Sequence, residues 1–154
     1  MTPVFQTIID SQVGNCMQAS YASILDLPLE QVPHFLEEPM EDENCDMRLR
    51  KWLQSLGLTD LNINIDEPEV FRHLLWSLMW SGTHYCIASI ESQKFKGCMH
   101  SVVAQINHFP DVLAVAHDPN PENEPYVLPK VDLNSWDFLK EYPIKSVSII
   151  IKHL

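Results

Sequence analysis

Three residues have types and spacing that could support nucleophilic catalysis: Cys16, His100 and Asp118. Cys16 directly follows Gly14-Asn15, a turn and capping signal that predicts a helix beginning at the cysteine, with Asn15 as its cap. Backbone N–H groups and the helix dipole at such a position favour the thiolate, which is the nucleophilic form of cysteine. His100 begins a predicted strand and Asp118 ends the next one, where Pro119 stops the hydrogen-bond ladder.

The combination of these residues is more informative than any one of them. A cysteine at a helix start is usually inert, a histidine at a strand end is often only polar, and an aspartate before proline is a common turn residue. If the two strands pair as an antiparallel hairpin, however, His100 and Asp118 lie side by side. A carboxylate there could orient the imidazole, and a neutral imidazole is the usual base for a cysteine nucleophile. The pattern therefore favours a Cys-His-Asp triad.

The other candidate nucleophiles and ligands are weaker. Cys45 has acidic neighbours that would raise its pKa, Cys86 lies within an apolar strand, and Cys98 is a strand cysteine without helix-start activation. His117 beside Asp118 invites a metal interpretation, but no i, i+4 histidine pair or Cys-x-x-Cys pair accompanies it. We therefore expect no metal and no cofactor.

Aromatic and histidine side chains within helical apolar patterns are expected to serve packing. Trp76 and Trp80, one helical turn apart, could form an aromatic shelf for a ligand, but core packing against the sheet is favoured, with Trp52 in the same core. His34 and His73 are likewise expected to be packed and not catalytic.

The elements that must position these residues follow an α+β order, with helices first and antiparallel strands after them. The predicted helices are Cys16–Asp26, a short one after Pro28, about Asn44–Leu56, and one from Asp66-Glu67-Pro68 to Gly82. The predicted strands are Leu61–Ile65, Tyr85–Ile90, Met99–Ile106, Val112–Ala116 and Ser146–Ile151. Pro119–Pro129 is predicted to be a loop. The length of 154 residues predicts a single domain over residues 1–154.

Charge and composition exclude several function classes. The net charge of −11 argues against nucleic acid or an anionic membrane as the main partner, because both require a basic surface. The excess of acids lies in residues 1–70, which hold 13 acids and 3 bases, chiefly in the predicted loop Glu37–Asp46. No apolar run reaches the roughly 18 residues of a membrane helix, and the N-terminus lacks a signal-peptide pattern. With four scattered cysteines, we expect free thiols and a cytoplasmic location.

On these residues the sequence resembles the papain-like cysteine hydrolases, particularly their compact bacterial and phage members with a C39-peptidase-like core. The resemblance covers roughly residues 4–125. The motifs that carry it are Gly14-Asn15-Cys16 with Ala19, Ala22-Ser23-Ile24-Leu25 and Leu27-Pro28-Leu29-Glu30-Gln31-Val32-Pro33, then His100-Ser101-Val102-Val103 and His117-Asp118-Pro119-Asn120-Pro121. Ser101 departs from the alanine that is usual in the related strand.

The resemblance implies a papain-like core in which N-terminal helices pack on an antiparallel sheet. It also implies that Cys16 is the nucleophile, His100 the general base and Asp118 the orienting acid. Enzymes of this family place a glutamine amide before the cysteine to help bind the oxyanion. Gln12 is closer to Cys16 than is usual, whereas Gln6 resembles the opening of the compact relatives, so Gln6 is favoured and Gln12 stays open.

The leading hypothesis is a cysteine-dependent hydrolase or acyltransferase that acts on an amide or isopeptide bond in a peptide, a protein or a small amide. Water would resolve the thioester in a peptidase or amidase, and an amine would do so in a transferase. The alternative is a catalytically silent binding or inhibitory module that engages a basic protein partner through its acidic N-terminal half. A shared fold does not by itself supply the substrate.

Overall fold

A five-stranded antiparallel sheet forms the centre of the molecule, with strand order β1-β5-β2-β3-β4. The computed structural model describes residues 1–36, 44–64, 68–78, 80–107, 113–126, 128 and 143–152. The strands are β1 Leu58–Asn64, β2 His84–Glu91, β3 Met99–Ile106, β4 Leu113–His117 and β5 Ile144–Lys152. With three helices beside the sheet, the fold belongs to the α+β class, as predicted.

All five predicted strands are present, and β3 has the predicted bounds. The strand predicted from Leu61 begins instead at Leu58, because Leu58 already pairs with Lys152 of β5. Its predicted last residue, Ile65, lies outside the described residues. Partner strands therefore set strand ends that the local alternation of side chains did not specify.

The helices are α1 Cys16–Ile24, α2 Cys45–Ser55 and α3 Pro68–Leu78. The first ends two residues earlier than predicted because Asp26 adopts a left-handed conformation, with φ of 54°. After Pro28 only a 3₁₀ turn forms, over Leu29–Gln31, so the predicted short second helix is wrong as an α-helix. Asn44 caps α2, since its side chain accepts a hydrogen bond from the Met47 N–H at 2.9 Å.

Helices cover both faces of the sheet. Phe71 and Leu75 of α3 pack on one face, in a cluster with apolar residues of β2 and β3. Tyr21 of α1 and Leu53 of α2 belong to a second cluster, which includes Ile87 of β2. Ile87 alternates with the β2 residues of the first cluster, so the two clusters lie on opposite faces. The acidic loop predicted over Glu37–Asp46 lies outside the described residues as far as residue 43.

The expectation that the tryptophans share one core is wrong for two of them. Trp52 packs against Tyr21 and Phe35, but Trp76 is 50% exposed and Trp80 66% exposed. The two exposed rings contact each other edge to face, with centroids 6.1 Å apart. Phe71, Leu75 and their neighbours occupy the sheet-facing stripe of α3, so Trp76 is directed to solvent.

His34 and His73, both expected to be packed, differ in their exposure. His73 is exposed on α3 and is not packed. His34 is half-buried, and neither of its ring nitrogens has a hydrogen-bond partner in the part of the chain that the structure describes. Within that same part, no helix combines the length and apolar character required to cross a membrane.

Candidate active site

Cys16 is the first residue of α1, and the chain before it fixes where the helix begins. A Cβ at position 14 would lie 2.5 Å from the Asp10 carbonyl oxygen, so this turn requires glycine. Asn15 occupies the cap position, but its side chain makes no capping hydrogen bond, contrary to the prediction. Its Oδ1 instead accepts hydrogen bonds from the N–H groups of Thr7 and Ile8, at 3.0 and 2.8 Å.

Asn15 therefore fastens the extended N-terminal segment to the start of the helix. Its Nδ2 donates to Thr7 Oγ1 and to Gln18 Oε1. Both the amide oxygen and the amide nitrogen of this buried side chain therefore have hydrogen-bond partners in nearby residues. The first N–H groups of α1 are left without a side-chain cap. Uncapped N–H groups at a helix start favour a negative charge nearby, and the Cys16 sulfur is the atom that can carry it.

His100 and Asp118 are in direct contact, with His100 Nε2 2.7 Å from Asp118 Oδ1. They meet because β3 and β4 are antiparallel neighbours, so the start of one lies beside the end of the other. Asp118 accepts two further hydrogen bonds, from the Asn120 N–H at 2.8 Å and from Asn123 Nδ2 at 2.9 Å. The carboxylate is therefore held rigidly against the imidazole.

The Cys16 thiol completes the chain of contacts. It lies beside the His100 side chain and the backbone N–H groups of Ser101 and Met17, each of which lowers the pKa of the thiol. Because His100 Nε2 faces Asp118, Nδ1 is the ring nitrogen left for the sulfur. Ser20 Oγ donates to the Ser101 carbonyl at 3.0 Å, which ties α1 to β3 beside this contact.

The electrostatics favour a charged pair of Cys16 and His100. Burial alone would raise the pKa of Cys16, but the hydrogen bond and charge of His100, together with the Ser101 and Met17 N–H groups, lower it below its ordinary value. Burial opposes the charging of His100, yet its bonds to Asp118 and Cys16 raise its pKa to about 9. These directions favour thiolate and imidazolium at neutral pH, rather than the neutral imidazole expected from the sequence.

Asp118 remains a carboxylate in this setting. Burial would raise its pKa, but the hydrogen bonds from His100, Asn123 and the Asn120 backbone lower it overall. A fixed negative charge at this position stabilises the imidazolium that faces it.

Of the two glutamines, Gln6 is the one near the loop that follows Asp118. Its N–H donates to the Pro119 carbonyl at 2.9 Å, and its side chain is buried. Its Nε2 donates to the Ile8 carbonyl at 3.1 Å, and its Oε1 is buried with no partner among the described residues. Gln12 is exposed, in a turn closed by the Asp10 carboxylate. The Nε2 of Gln6 is therefore hydrogen-bonded to the backbone of its own segment.

His117 has a positioning role that the sequence reading missed. Its Nε2 lies 2.9 Å from the Val4 carbonyl, and its ring contacts Phe5 edge to face at 5.1 Å. It therefore holds the N-terminal segment against β4, beside Asp118. Asn120 and Asn123 were also missed, although an Asp-Pro-Asn sequence is typical of turns in which the aspartate accepts backbone N–H groups.

Two of the other thiols have a raised pKa, opposite to Cys16. Burial, followed by the Asp46 charge, raises the pKa of Cys45, in the direction expected, and burial raises that of Cys86 to about 12. All four cysteines are free, and Cys86 is buried as expected. Over the described ranges, no three His, Cys, Asp or Glu side chains come together as metal ligands.

Comparison with known proteins adds no relative: no model of a protein family, no curated protein and no solved structure matches this chain.

Proposed function

We propose that this protein is a cysteine-dependent hydrolase or acyltransferase that acts on an amide or isopeptide bond. The observation that supports this most directly is the continuous contact from Cys16 through His100 to Asp118, with 2.7 Å between His100 Nε2 and Asp118 Oδ1. A helix-start thiol packed against an antiparallel sheet agrees with the papain-like core that the sequence resembles. The free thiols suit a reducing compartment such as the cytoplasm.

In the proposed reaction, the Cys16 thiolate attacks the carbonyl carbon, and the carbonyl π electrons move onto its oxygen to form a tetrahedral oxyanion. His100, already protonated, gives its Nδ1 proton to the departing amine as the C–N bond breaks. The product of this half-reaction is a thioester on Cys16 and a neutral imidazole. Asp118 keeps the imidazole in the orientation that faces the sulfur.

In the second half-reaction, His100 removes a proton from water or from an acceptor amine, which then attacks the thioester. Collapse of the new tetrahedral intermediate releases the thiolate and restores the imidazolium. Water gives a carboxylic acid and an amine gives a new amide. The first oxyanion donor in this proposal is the Cys16 backbone N–H, at the uncapped start of α1. Gln6 would contribute its Nε2 after giving up the bond to the Ile8 carbonyl.

Selective alkylation tests the proposal. Iodoacetamide at pH 6.5 is expected to label Cys16 well ahead of Cys45 and Cys86, because the pKa of Cys16 is lowered and those of Cys45 and Cys86 are raised. In His100→Ala the Cys16 rate should fall by about tenfold or more, because the hydrogen bond and the charge with which His100 lowers the thiol pKa are both lost. Peptide mapping by mass spectrometry gives the rate at each cysteine.

A matched control is His84→Ala, because His84 lies at the start of β2 and its side chain bonds the exposed Ser81. Its Cys16 rate should equal that of the parent protein. Similar slow labelling of all four cysteines, or an unchanged Cys16 rate in His100→Ala, would contradict the proposed triad. The enzyme and the binding module are then distinguished by turnover of amide substrates: an enzyme should lose this turnover in Cys16→Ser, whereas a binding module should show none in either protein.

A further inference from the structure

A polar cavity of about 400 Å³ lies between the sheet and helices α1 and α2. Met17 and Tyr21 of α1 form one wall, and Asp46 and Arg50 of α2 contribute to another. The sheet side is made of strand residues that are mostly serines, rather than the branched apolar residues typical of a surface under helices.

The serines form a row across three neighbouring strands. Ser101 of β3 is the register partner of Ser89 of β2, and Ser89 is the partner of Ser146 of β5. Directly paired residues of antiparallel strands point to the same face, so the three hydroxyls share one side of the sheet. None of the three hydroxyls has a hydrogen-bond partner within the described part of the chain, and all three residues line the cavity.

The next row differs. There Ser148 of β5 accepts a hydrogen bond from Asn62 Nδ2 at 2.7 Å and lies near the Tyr21 hydroxyl. The cavity therefore contains hydroxyls that have a protein hydrogen-bond partner and others that have none among the described residues. Hydroxyls that face a cavity without protein partners are available to a ligand, because a polar group withdrawn from water requires a replacement hydrogen bond.

The row begins at the reactive sulfur. The Ser101 N–H lies beside the Cys16 thiol and lowers its pKa, and Met17 is the next residue along α1. Both Ser101 and Met17 line the cavity, so the cavity lies next to Cys16, although the Cys16 side chain is not itself part of the lining.

The far end of the cavity is acidic. Asp60 of β1 lines it and faces Tyr21, whose pKa is raised by burial and next by the Asp60 charge. From β3 to β1 there are three strand spacings, which is roughly 14 Å at about 4.8 Å each. Among the described residues that line the cavity, two acids, Asp46 and Asp60, outnumber one cation, Arg50.

We propose that this cavity is the substrate-recognition subsite, and that it takes a polar chain of hydroxyl or amide groups ending in an ammonium. The serine row would hydrogen-bond the chain and Asp60 would bind its cationic end. The size of the cavity and the distance to Asp60 suit an extended chain of about three to four peptide units. This inference rests on the proposed function, since it assigns a role to the surroundings of the Cys16 nucleophile.

The test uses three iodoacetamides that carry the same short peptide tail, ending in an ammonium, an acetylated amine or a carboxylate. In each case the Cys16 sulfur forms a bond to the methylene carbon and iodide leaves. Each rate at Cys16 is divided by the rate with plain iodoacetamide on the same protein. The normalised labelling rate with the ammonium tail should exceed that with the carboxylate tail by about tenfold. The reason is that Asp60 attracts the ammonium and repels the carboxylate in a partly shielded site.

In Asp60→Asn this preference should fall to about twofold, whereas in Glu69→Gln it should persist, because Glu69 is an exposed acid on α3 outside the cavity. Ser89→Val should slow all three tailed probes by about threefold relative to plain iodoacetamide, since it removes one hydroxyl of the row. This second variant keeps the test decisive if Asp60→Asn does not fold.

The outcomes separate the two proposals. Rapid, His100-dependent labelling of Cys16 with no preference among the tails would overturn the subsite and leave the nucleophile in place. An equal loss of preference in Asp60→Asn and Glu69→Gln would also overturn it, because the long-range field of the protein would then be the cause. Slow labelling of Cys16 by plain iodoacetamide would remove both proposals.

Discussion

The two faces of the same sheet differ in chemistry, although the same three central strands form both. Toward α3, successive inward positions of β2 and β3 are all apolar and fully buried: Cys86, Ala88 and Ile90, then Val102, Ala104 and Ile106. Toward α1 and α2, the alternate positions include Ser89, Ser101, Ser146 and Ser148, which line a cavity. One face is closed by packing, and the other stays open beside Cys16.

This difference separates stability from reactivity. Close-packed apolar side chains supply most of the free energy of folding, whereas an open polar cavity gives up part of that gain. Residues that hold the reactive groups, such as Asp118 and Asn15, are bonded mainly to loops and segment ends. We therefore expect substitutions on the α3 face to change the free energy of unfolding and those near Cys16 to change its reactivity.

The largest expected effect is that of Phe71→Ala, on the α3 face. Phe71 is fully buried, so its loss should lower the free energy of unfolding by about 3–5 kcal/mol, measured by urea denaturation. The rate at which iodoacetamide labels Cys16 in the folded protein should not change. Trp76→Ala on the same helix is the matched control and should cost less than about 1 kcal/mol, because the ring is half exposed. Equal losses in the two variants would contradict the comparison.

The next effect in size is that of Asn15→Ala, which should change both properties. The side chain makes four hydrogen bonds that fasten the segment of Thr7 and Ile8 to α1, so its removal should lower the free energy of unfolding by about 2 kcal/mol. Labelling of Cys16 should slow as well, since the helix start loses its support. Asn44→Ala, which removes the cap of α2, should cost about 1 kcal/mol without changing the labelling rate. If both variants left labelling unchanged, the positioning role of Asn15 would be wrong.

The smallest of the three effects is a shift of pH dependence in Asp118→Asn. Asp118 helps to raise the pKa of His100 to about 9, so its neutralisation should lower that pKa and weaken the imidazolium that stabilises the thiolate. Labelling of Cys16 at pH 6.5 should then fall by about tenfold, and the two proteins should converge above pH 9, where the imidazolium of the parent is also lost. A titration of the His100 ring protons by NMR should show the lower pKa directly.

Glu122→Gln is the control for that experiment, because Glu122 lies in the same loop but pairs with Lys94. Its pH profile should match that of the parent protein. A profile of Asp118→Asn that also matched the parent would show that the carboxylate does not support the charged pair.

Much of the fold could be predicted from the sequence, because local signals and tertiary packing agree in most elements. The β-branched composition and the flanking turn residues of Met99–Ile106 predicted the bounds of β3, and Asn44 marked the start of α2. The failures lie where a partner element decides the outcome. Leu58 joins β1 through its pairing with β5, and Trp76 points to solvent because other residues of α3 face the sheet.

The sequence by itself determined the candidate triad and its order, since helix-start and strand-end signals are local and lie at Cys16, His100 and Asp118. It could not determine the charge state of the triad, because the pKa shift of Cys16 arises from its contact with His100, more than eighty positions away. It also could not reveal the serine row, since Ser89, Ser101 and Ser146 come together only through strand register. Local preferences specify elements, but proximity between distant residues, and with it electrostatics and cavity shape, exists only once the chain has folded.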